Sequence, residues 1–127
     1  MAHLGAELVR VEPRLVEIAV SRADQLLQQH GFLHAGVLTS LLDSACGYAA
    51  LTCMDEGTGV MSIEFKVNLV APAAGERFLA RAHVLKAGRT VVVCRADAFA
   101  VDGETPRLVA VMQGSMMAVR GRDGVSD

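Results

Sequence analysis

The chain has 127 residues, a formal charge of −2 and 52% hydrophobic residues, a composition typical of one folded domain and not of a disordered chain. Its 12 basic residues are interspersed with 14 acidic ones, and the aromatic residues are four Phe and one Tyr. Without a basic cluster or aromatic stacking residues, the sequence excludes a surface for nucleic acid or anionic lipid. The high apolar content for this length indicates a large interface between subunits.

The three cysteines are an odd number at low density, which argues against a disulfide framework and favours a reducing compartment. We interpret Cys46, Cys53 and Cys94 as small core residues, and residues 1–13 lack the continuous apolar stretch of a signal peptide. Residues 33–54 are long enough to span a bilayer, but an acidic residue would lie near its middle and no Lys or Arg flanks either end. We therefore expect a cytoplasmic protein without a membrane span.

The first elements along the chain are two short apolar runs, residues 6–11 and 15–20, that predict a β-hairpin. Residues 21–30 are polar and rich in Gln, and Ser21 is available as the N-cap of a short helical turn.

A central helix is expected to begin near Ala35 and to end before the glycine-containing loop at residues 55–59. Its residues are apolar on all faces, which is typical of a helix in the middle of a core, and its only charged side chain is Asp43. A carboxylate in such a place costs several kcal/mol unless its charge is matched or its pKa rises, which indicates chemistry more than packing. The structural alternative is a carboxylate held by the hydroxyl of Ser40 or Ser44.

Four strands are predicted after the helix, and residues 61–69 give the clearest pattern, with apolar and polar residues alternating at a period of two. The polar residues of that alternation are Ser62, Glu64, Lys66 and Asn68. The other predicted strands and turns are residues 78–86, a turn at 87–89, residues 90–101, a turn at 102–104 and residues 108–119. Consecutive strands with short turns predict an antiparallel meander, curved round the helix in an α+β fold. We expect one domain over residues 1–120 and a flexible tail over residues 121–127.

Several sequence segments together resemble the PaaI-type acyl-CoA thioesterases, which have the hotdog fold: a curved antiparallel sheet wrapped round one long central helix. The resemblance lies in QQHGFLHAG at residues 28–36, Asp43 nine places after His34, VMSIEFK at 60–66, PAAGE at 72–76 and VLKAGRT at 84–90. It covers nearly the whole chain.

The resemblance implies roles for five residues. The backbone N–H of Ala35 would polarise the thioester carbonyl, and Asp43 would act as nucleophile or general base. Gln28 stands where an Asn is common, and Ser62 stands where some members place a hydroxyl that orients water. His34 would line the site and fix its loop. The family's usual His-Gly-Gly is His-Ala-Gly here, which still supplies the N–H.

The start of the central helix presents unpaired N–H groups and a partial positive charge. Ala35 and Gly36 would place these donors beside small side chains, so that a carbonyl oxygen can approach. Asp43 follows Ala35 by eight residues, roughly 12 Å at the rise of an α-helix. We therefore expect the site to be shared by two chains, with Asp43 of one facing Ala35 of the other. The expected assembly is a homodimer, further paired into a homotetramer, with the polar face of residues 61–69 meeting solvent or the second dimer.

Candidate substrate-binding residues lie on the helix and on the later strands. Tyr48 and Phe65 are candidates for the acyl pocket. A turn with basic residues would hold the phosphates of coenzyme A, and its residues are Lys86, Gly88, Arg89 and Thr90, with Arg95 nearby. The histidines and acids lack the clustering of a metal site. We expect no metal and no cofactor, since coenzyme A is part of the substrate.

The expected activity is hydrolysis of aliphatic or aryl acyl-CoA to free acid and CoA. A nucleophilic pair of Cys46 with His34 is disfavoured, because apolar surroundings raise the pKa of a thiol and make it inert. Two alternatives stay open. One is a hotdog-fold hydratase or dehydratase acting on acyl-CoA, and the other is a protein that binds acyl-CoA without turning it over.

Overall fold

The computed structural model describes residues 1–103 and 105–125, and in them it contains a six-stranded antiparallel sheet and one α-helix. The strands are β1 (Glu7–Glu12), β2 (Leu15–Ser21), β3 (Gly59–Leu69), β4 (Arg77–Ala87), β5 (Val91–Asp102) and β6 (Thr105–Val119), and the helix is α1 (Ala35–Leu51). Short 3₁₀ turns lie at Ala2–Leu4 and Asp24–Leu26. The expected α+β architecture, one helix against a curved sheet, is confirmed.

Helix α1 packs against the sheet through a face of regularly spaced apolar residues. Leu38, Leu41, Leu42, Ala45 and Ala49 are buried on this face at the spacing of helical turns. These residues of α1 lie over small side chains of β4 and β5. Alanines on the two strands allow the helix to pack close to the sheet. The buried alanines of these two strands are Ala80, Ala82, Ala96, Ala98 and Ala100.

The order of strands in the sheet differs from the predicted meander. The order is β1-β2-β4-β5-β6-β3, so β4, β5 and β6 form a meander but β3 lies at the far edge and pairs with β6. The prediction that all four strands pair in sequence was therefore wrong. Residues 70–76, which include Pro72 and Gly75, carry the chain across from β3 to β4. Period-two alternation shows that a segment is a strand but does not encode its partner.

A β-bulge between Ser62 and Glu64 changes which side chains of β3 face the helix. Ser62 pairs with buried Met116 and therefore lies on the helix side, whereas the residues after the bulge have shifted by one. Phe65, Val67 and Leu69 share the helix side, and Glu64, Lys66 and Asn68 lie on the outer side. The predicted polar face was therefore wrong in one member, because Ser62 does not belong to it.

The outer side of the sheet carries an ion pair between a buried carboxylate and half-exposed arginines. The carboxylate of Glu17 on β2 accepts a hydrogen bond of 2.6 Å from Arg81 Nε on β4, and Arg10 Nη1 lies 3.9 Å from the same oxygen. The Glu17 side chain is only 9% exposed, whereas that of Arg81 is 45% exposed. This pair joins three neighbouring strands on the face opposite the helix.

Other predictions about single residues have mixed outcomes. Ser21 is the last residue of β2 and not an N-cap, since the 3₁₀ turn begins after Ala23 and has no side-chain cap. Cys46 and Cys94 are buried free thiols, as predicted, and Cys53 is half-buried. Residue 104 of the predicted turn at 102–104 lies outside the described residues. Residues 126 and 127 of the predicted tail at 121–127 also lie outside them, and the flexibility of the tail stays a prediction. Among the described residues, the model contains no helix with the length and hydrophobicity that a membrane crossing requires.

Candidate active site

Two separate cavities lie along α1, one at its start and one beside its middle. The first has a volume of about 570 Å³ and is lined by Gln28, Phe32, Leu33, His34, Ala35, Leu38 and residues 69–73. The second has a volume of about 250 Å³ and is lined by Asp43, Ser44, Gly47, Tyr48, Leu51, Val60 and Ser62. The two cavities share no lining residue, so one chain holds the predicted donor and the predicted acid in different places. We call them the donor cavity and the acid cavity.

The donor cavity contains a backbone N–H without an acceptor. His34 is the N-cap of α1, and its Nδ1 accepts a hydrogen bond of 2.9 Å from Gly36 N–H. Within the described ranges, the N–H of Ala35 has no hydrogen-bond acceptor. The prediction of a donor at Ala35 thus has a structural basis, whereas Gly36 N–H is already engaged. Because Nδ1 of His34 accepts, the proton of its neutral ring is assigned to Nε2.

Gln28 lies in the loop before the helix and holds that loop together. Its side-chain oxygen accepts a hydrogen bond from His30 N–H, and its backbone N–H donates to Phe32 O at 2.8 Å. The loop is fixed to the helix start by His34 N–H, which donates to Leu26 O at 3.0 Å. Gln28 and Ala35 line the same cavity, and a role for Gln28 in the reaction stays a prediction.

The acid cavity contains a short hydrogen bond between the predicted acid and the predicted hydroxyl. Ser62 Oγ donates to Asp43 Oδ1 at 2.6 Å, and Ser62 Oγ also lies 3.3 Å from Met116 Sδ. The bulge in β3 makes this contact, because it turns Ser62 toward the helix. The structural alternative through Ser40 is wrong, since Ser40 Oγ donates to Gly36 O at 2.9 Å.

Asp43 is less enclosed than the sequence predicted. Its side of α1 carries small or polar residues and is not covered by the sheet, so Asp43 is half-buried and Tyr48 is 45% exposed. The expectation of a helix buried on every face was therefore wrong for the single chain. Because this side of α1 is half-exposed, the carboxylate of Asp43 is accessible to a ligand or to a second subunit.

The predicted substrate-binding residues are distributed over the chain. Tyr48 lines the acid cavity, and Phe65 is 41% exposed on the helix side of β3. The turn that holds Lys86, Gly88, Arg89 and Thr90 lies at the sheet end where β3 begins, because Thr90 O accepts from Ala118 N–H and Ala118 pairs with Val60. The donor cavity lies at the opposite end, where β3 finishes. One chain therefore does not bring this turn and Ala35 together.

Gly88 in this turn and Arg95 on the neighbouring strand β5 have further local contacts. A Cβ on Gly88 would lie 2.6 Å from Val91 O, so the turn requires glycine at this position. The side chain of Arg95 lies on the outer side of the sheet, where its Nη2 is 3.4 Å from Asp97 Oδ1.

The buried thiols do not form a nucleophile for this site. Cys94 Sγ donates to Cys46 O at 3.5 Å, and the pKa of Cys46 is raised far above its ordinary value by the hydrogen bond with Cys94, by burial and by the nearby charges. The expected rise in the pKa of Cys46 is found, and its inertness stays a prediction. In the described part of the chain, no three His, Cys, Asp or Glu side chains are grouped closely enough to hold a metal ion.

Some lining residues were not predicted from the sequence. Residues 69–73 line the donor cavity because the chain leaves the sheet edge there, and Met116 lies beside Ser62. The apolar, Pro-containing sequence of 69–73 indicates a strand end but gives no sign of which cavity it lines.

The fold and the two cavities define an α+β protein with an acid in mid-helix and a free N–H at the helix start. The sequence model of the thioesterase superfamily matches residues 30–107, more than half of the chain. The chain therefore belongs to the thioesterase superfamily, and its class is that of a thioester hydrolase. The predicted resemblance is confirmed at this level.

Individual relatives agree with this assignment. A crystal structure of a thioesterase family protein from Silicibacter pomeroyi is 48% identical, covers 94% of this chain and 88% of its own, and superposes with a TM-score of 0.92. The medium/long-chain acyl-CoA thioesterase YigI of Escherichia coli is 31% identical in an alignment of length 112 that covers 74% of this chain and 70% of the relative. The E. coli PaaI protein, at 22% identity and a TM-score of 0.82 over 98% of this chain and 84% of its own, shows the same fold. The hotdog fold is thereby confirmed.

Proposed function

We propose that the protein hydrolyses acyl-CoA thioesters to a free acid and CoA, in a site that two copies of the chain build together. The observation that carries this proposal is the separation of the two functional groups. The free N–H of Ala35 lies in the donor cavity, and Asp43 with Ser62 lies in the acid cavity. The substrate class is supported by the relatives named as acyl-CoA thioesterases.

The helix geometry supports the sharing of the site. Ala35 and Asp43 are separated by roughly 12 Å along one rigid helix, which is too far for both to act on one carbonyl carbon. A two-fold axis between two antiparallel copies of α1 would bring Asp43 of the partner subunit against Ala35. Two equal sites would then form in each dimer.

The exposed edge of the sheet supports pairing with a second copy. β3 is an edge strand, and its residues Ile63, Phe65 and Leu69 are 51%, 41% and 54% exposed. A long apolar edge strand has unpaired backbone groups and is unfavourable in water, so pairing it with a second β3 would satisfy both requirements. Antiparallel pairing would also bring the Lys86–Arg89 turn of one subunit to the sheet end that holds the donor cavity of the other, where these cations could meet the CoA phosphates. We further infer that two dimers form a tetramer and that the enzyme works in the cytoplasm.

The reaction begins with polarisation of the thioester carbonyl. The N–H of Ala35 donates to the carbonyl oxygen at the positive end of α1, and one such donor contributes about 3–4 kcal/mol to the transition state. Ser62 holds Oδ1 of Asp43, which leaves the second carboxylate oxygen for the reaction.

Two routes lead from there to the products. As general base, Asp43 takes a proton from water while the water oxygen attacks the carbonyl carbon, and the C–S bond then breaks. As nucleophile, Asp43 forms an acyl anhydride with release of CoA, and water then hydrolyses the anhydride. In both routes the thiolate of CoA takes up a proton, and Asp43 returns to its carboxylate form.

The test measures release of free thiol from acetyl-, octanoyl-, palmitoyl- and benzoyl-CoA. The expected result is turnover by the wild type and a loss of at least about a hundredfold in Asp43→Asn, because base and nucleophile are both removed. Asp55→Asn, an exposed acid after the helix, serves as the matched control and should keep activity. An enoyl product without thiol would indicate the hydratase alternative. Binding without any product would indicate the non-catalytic alternative, and either result would overturn the proposal.

A further inference from the structure

A third cavity lies beside the acid cavity and shares Tyr48 with it. This groove has a volume of about 180 Å³ and lies between the N-terminal segment, β1 and α1; it is lined by Met1, Ala6, Glu7, Leu8, Ile18 and Tyr48. Tyr48 also lines the acid cavity, so a single side chain separates the groove from the space beside Asp43. The two cavities therefore adjoin at Tyr48, and we refer to them together as the path from Asp43 to β1, an edge strand of the sheet.

Apart from Glu7, the side chains that line the groove are apolar or aromatic. Leu8 pairs with buried Ile18 across β1 and β2, which places the Leu8 side chain on the helix side of the sheet. Leu8 is nevertheless 55% exposed and Tyr48 45% exposed, so both present apolar surface without a partner in the chain. Such surface lining a concave path is suited to an apolar ligand.

The charges along the path select which part of an acyl-CoA it can accept. The lining of the acid cavity and the groove contains no Lys or Arg side chain; its charged groups are the carboxylates of Asp43 and Glu7 and the N-terminal ammonium of Met1. Two carboxylates against one ammonium make a poor site for the phosphates of CoA, whereas an uncharged hydrocarbon tail meets no such repulsion. The donor cavity differs, because it contains polar groups of Gln28 and His34 that the amides of a pantetheine arm could meet.

We propose that this groove binds the distal part of the substrate's acyl chain, and that Leu8 and Tyr48 make the enzyme selective for straight chains of medium or greater length over acetyl. This inference rests on the proposed function. It makes Tyr48 the boundary between a short pocket for the first carbons and an extension for the later ones. Each methylene that enters the extension should raise kcat/KM about fourfold, the value for transfer of one CH₂ group from water.

The experiment measures kcat/KM for thiol release by the full chain with a ladder of saturated esters from acetyl- to palmitoyl-CoA. In the wild type, kcat/KM should rise with chain length and then level off where the groove ends. Leu8→Trp fills the groove from the strand, and it should lower the ratio of octanoyl to acetyl activity at least tenfold, as loss of about two methylene contacts requires. Tyr48→Trp fills the same path from the helix and should lower that ratio too.

A matched control lies on the same strand. Val11 is 56% exposed on the helix side of β1 and does not line the groove, so Val11→Trp should leave the ratio unchanged. An unchanged ratio in Leu8→Trp and Tyr48→Trp, or a wild type indifferent to chain length, would overturn the assignment of the groove. A wild type that releases no thiol from any ester would overturn the proposed function itself and the groove assignment with it.

Discussion

Replacement of Ala35 by proline removes one hydrogen-bond donor and changes little else. Ala35 is the first residue of α1, and proline is well accepted there because its fixed φ suits the helix start. The N–H that proline lacks has no acceptor within the described residues, so no hydrogen bond of the fold is lost. The preceding residue, His34, has φ −61° and ψ 135°, the extended conformation that a residue before proline prefers.

The expected loss of activity follows from the occupancy of the neighbouring donor. Gly36 N–H already donates to His34 Nδ1, so Ala35 supplies the one unengaged N–H at the helix start. Loss of an oxyanion donor costs about 3–4 kcal/mol, or roughly a hundredfold to a thousandfold in kcat. The free energy of unfolding should change by less than about 1 kcal/mol, as for other compatible substitutions by proline.

The assay compares kcat for thiol release from octanoyl-CoA with urea unfolding of the same preparations. Ala35→Ser is the matched control, because it keeps the N–H and adds only a small side chain. Folded Ala35→Pro with the kcat of the wild type would refute the role of this N–H. An equal loss in Ala35→Ser would show that the position is sensitive to size and not to the donor.

Three further predictions concern the acid, the sheet and the buried thiol. Ser62→Ala should lower kcat about tenfold to a hundredfold, since a hydrogen bond to a charged group contributes about 1.5–3 kcal/mol. The control Ser115→Ala removes a hydroxyl that donates to Glu64 on the outer side at 2.8 Å, and it should leave kcat unchanged. Glu17→Gln should lower the free energy of unfolding in urea by about 1.5–3 kcal/mol, because a buried carboxylate loses its charge-assisted hydrogen bond from half-exposed Arg81, whereas exposed Glu12→Gln should change it by less than about 1 kcal/mol. Cys46 should resist iodoacetamide at mildly alkaline pH in the native protein and react after unfolding, because its hydrogen bond with a second thiol and its burial raise the thiol pKa; rapid labelling of the native protein would contradict this.

The sequence predicted the elements that depend on local pattern. The boundaries of α1 and the existence of all six strands follow from helical spacing, period-two alternation and glycine-containing turns, which act within a few residues. Asp43 was predicted as a site residue because a lone carboxylate is costly in an apolar helix, although the structure leaves it half-buried. These features needed no knowledge of which elements lie side by side.

The pairing of β3 and the details of the site depend on contacts between distant parts of the chain. Alternation in β3 predicted a continuous polar face, but one extra residue in the bulge turns Ser62 to the other side. The contact of Ser62 with Asp43 is a consequence of that bulge and of pairing with β6, and neither is encoded in local spacing. The capping of Gly36 by His34 was also not predicted, because a histidine before a helix fits several roles.

The most direct test of the shared site is complementation between two inactive variants. Asp43→Asn and Ala35→Pro subunits are co-expressed with different tags, and the mixed dimers are isolated and assayed for thiol release beside each parent. In a mixed dimer, the intact Asp43 of one subunit would face the intact Ala35 of the other, and one site of the two would be complete. A site shared by two subunits should give about half of the wild-type activity in the isolated mixed dimer, well above both parents. Mixed dimers as inactive as their parents would show that each site is built from a single chain, and would contradict the account.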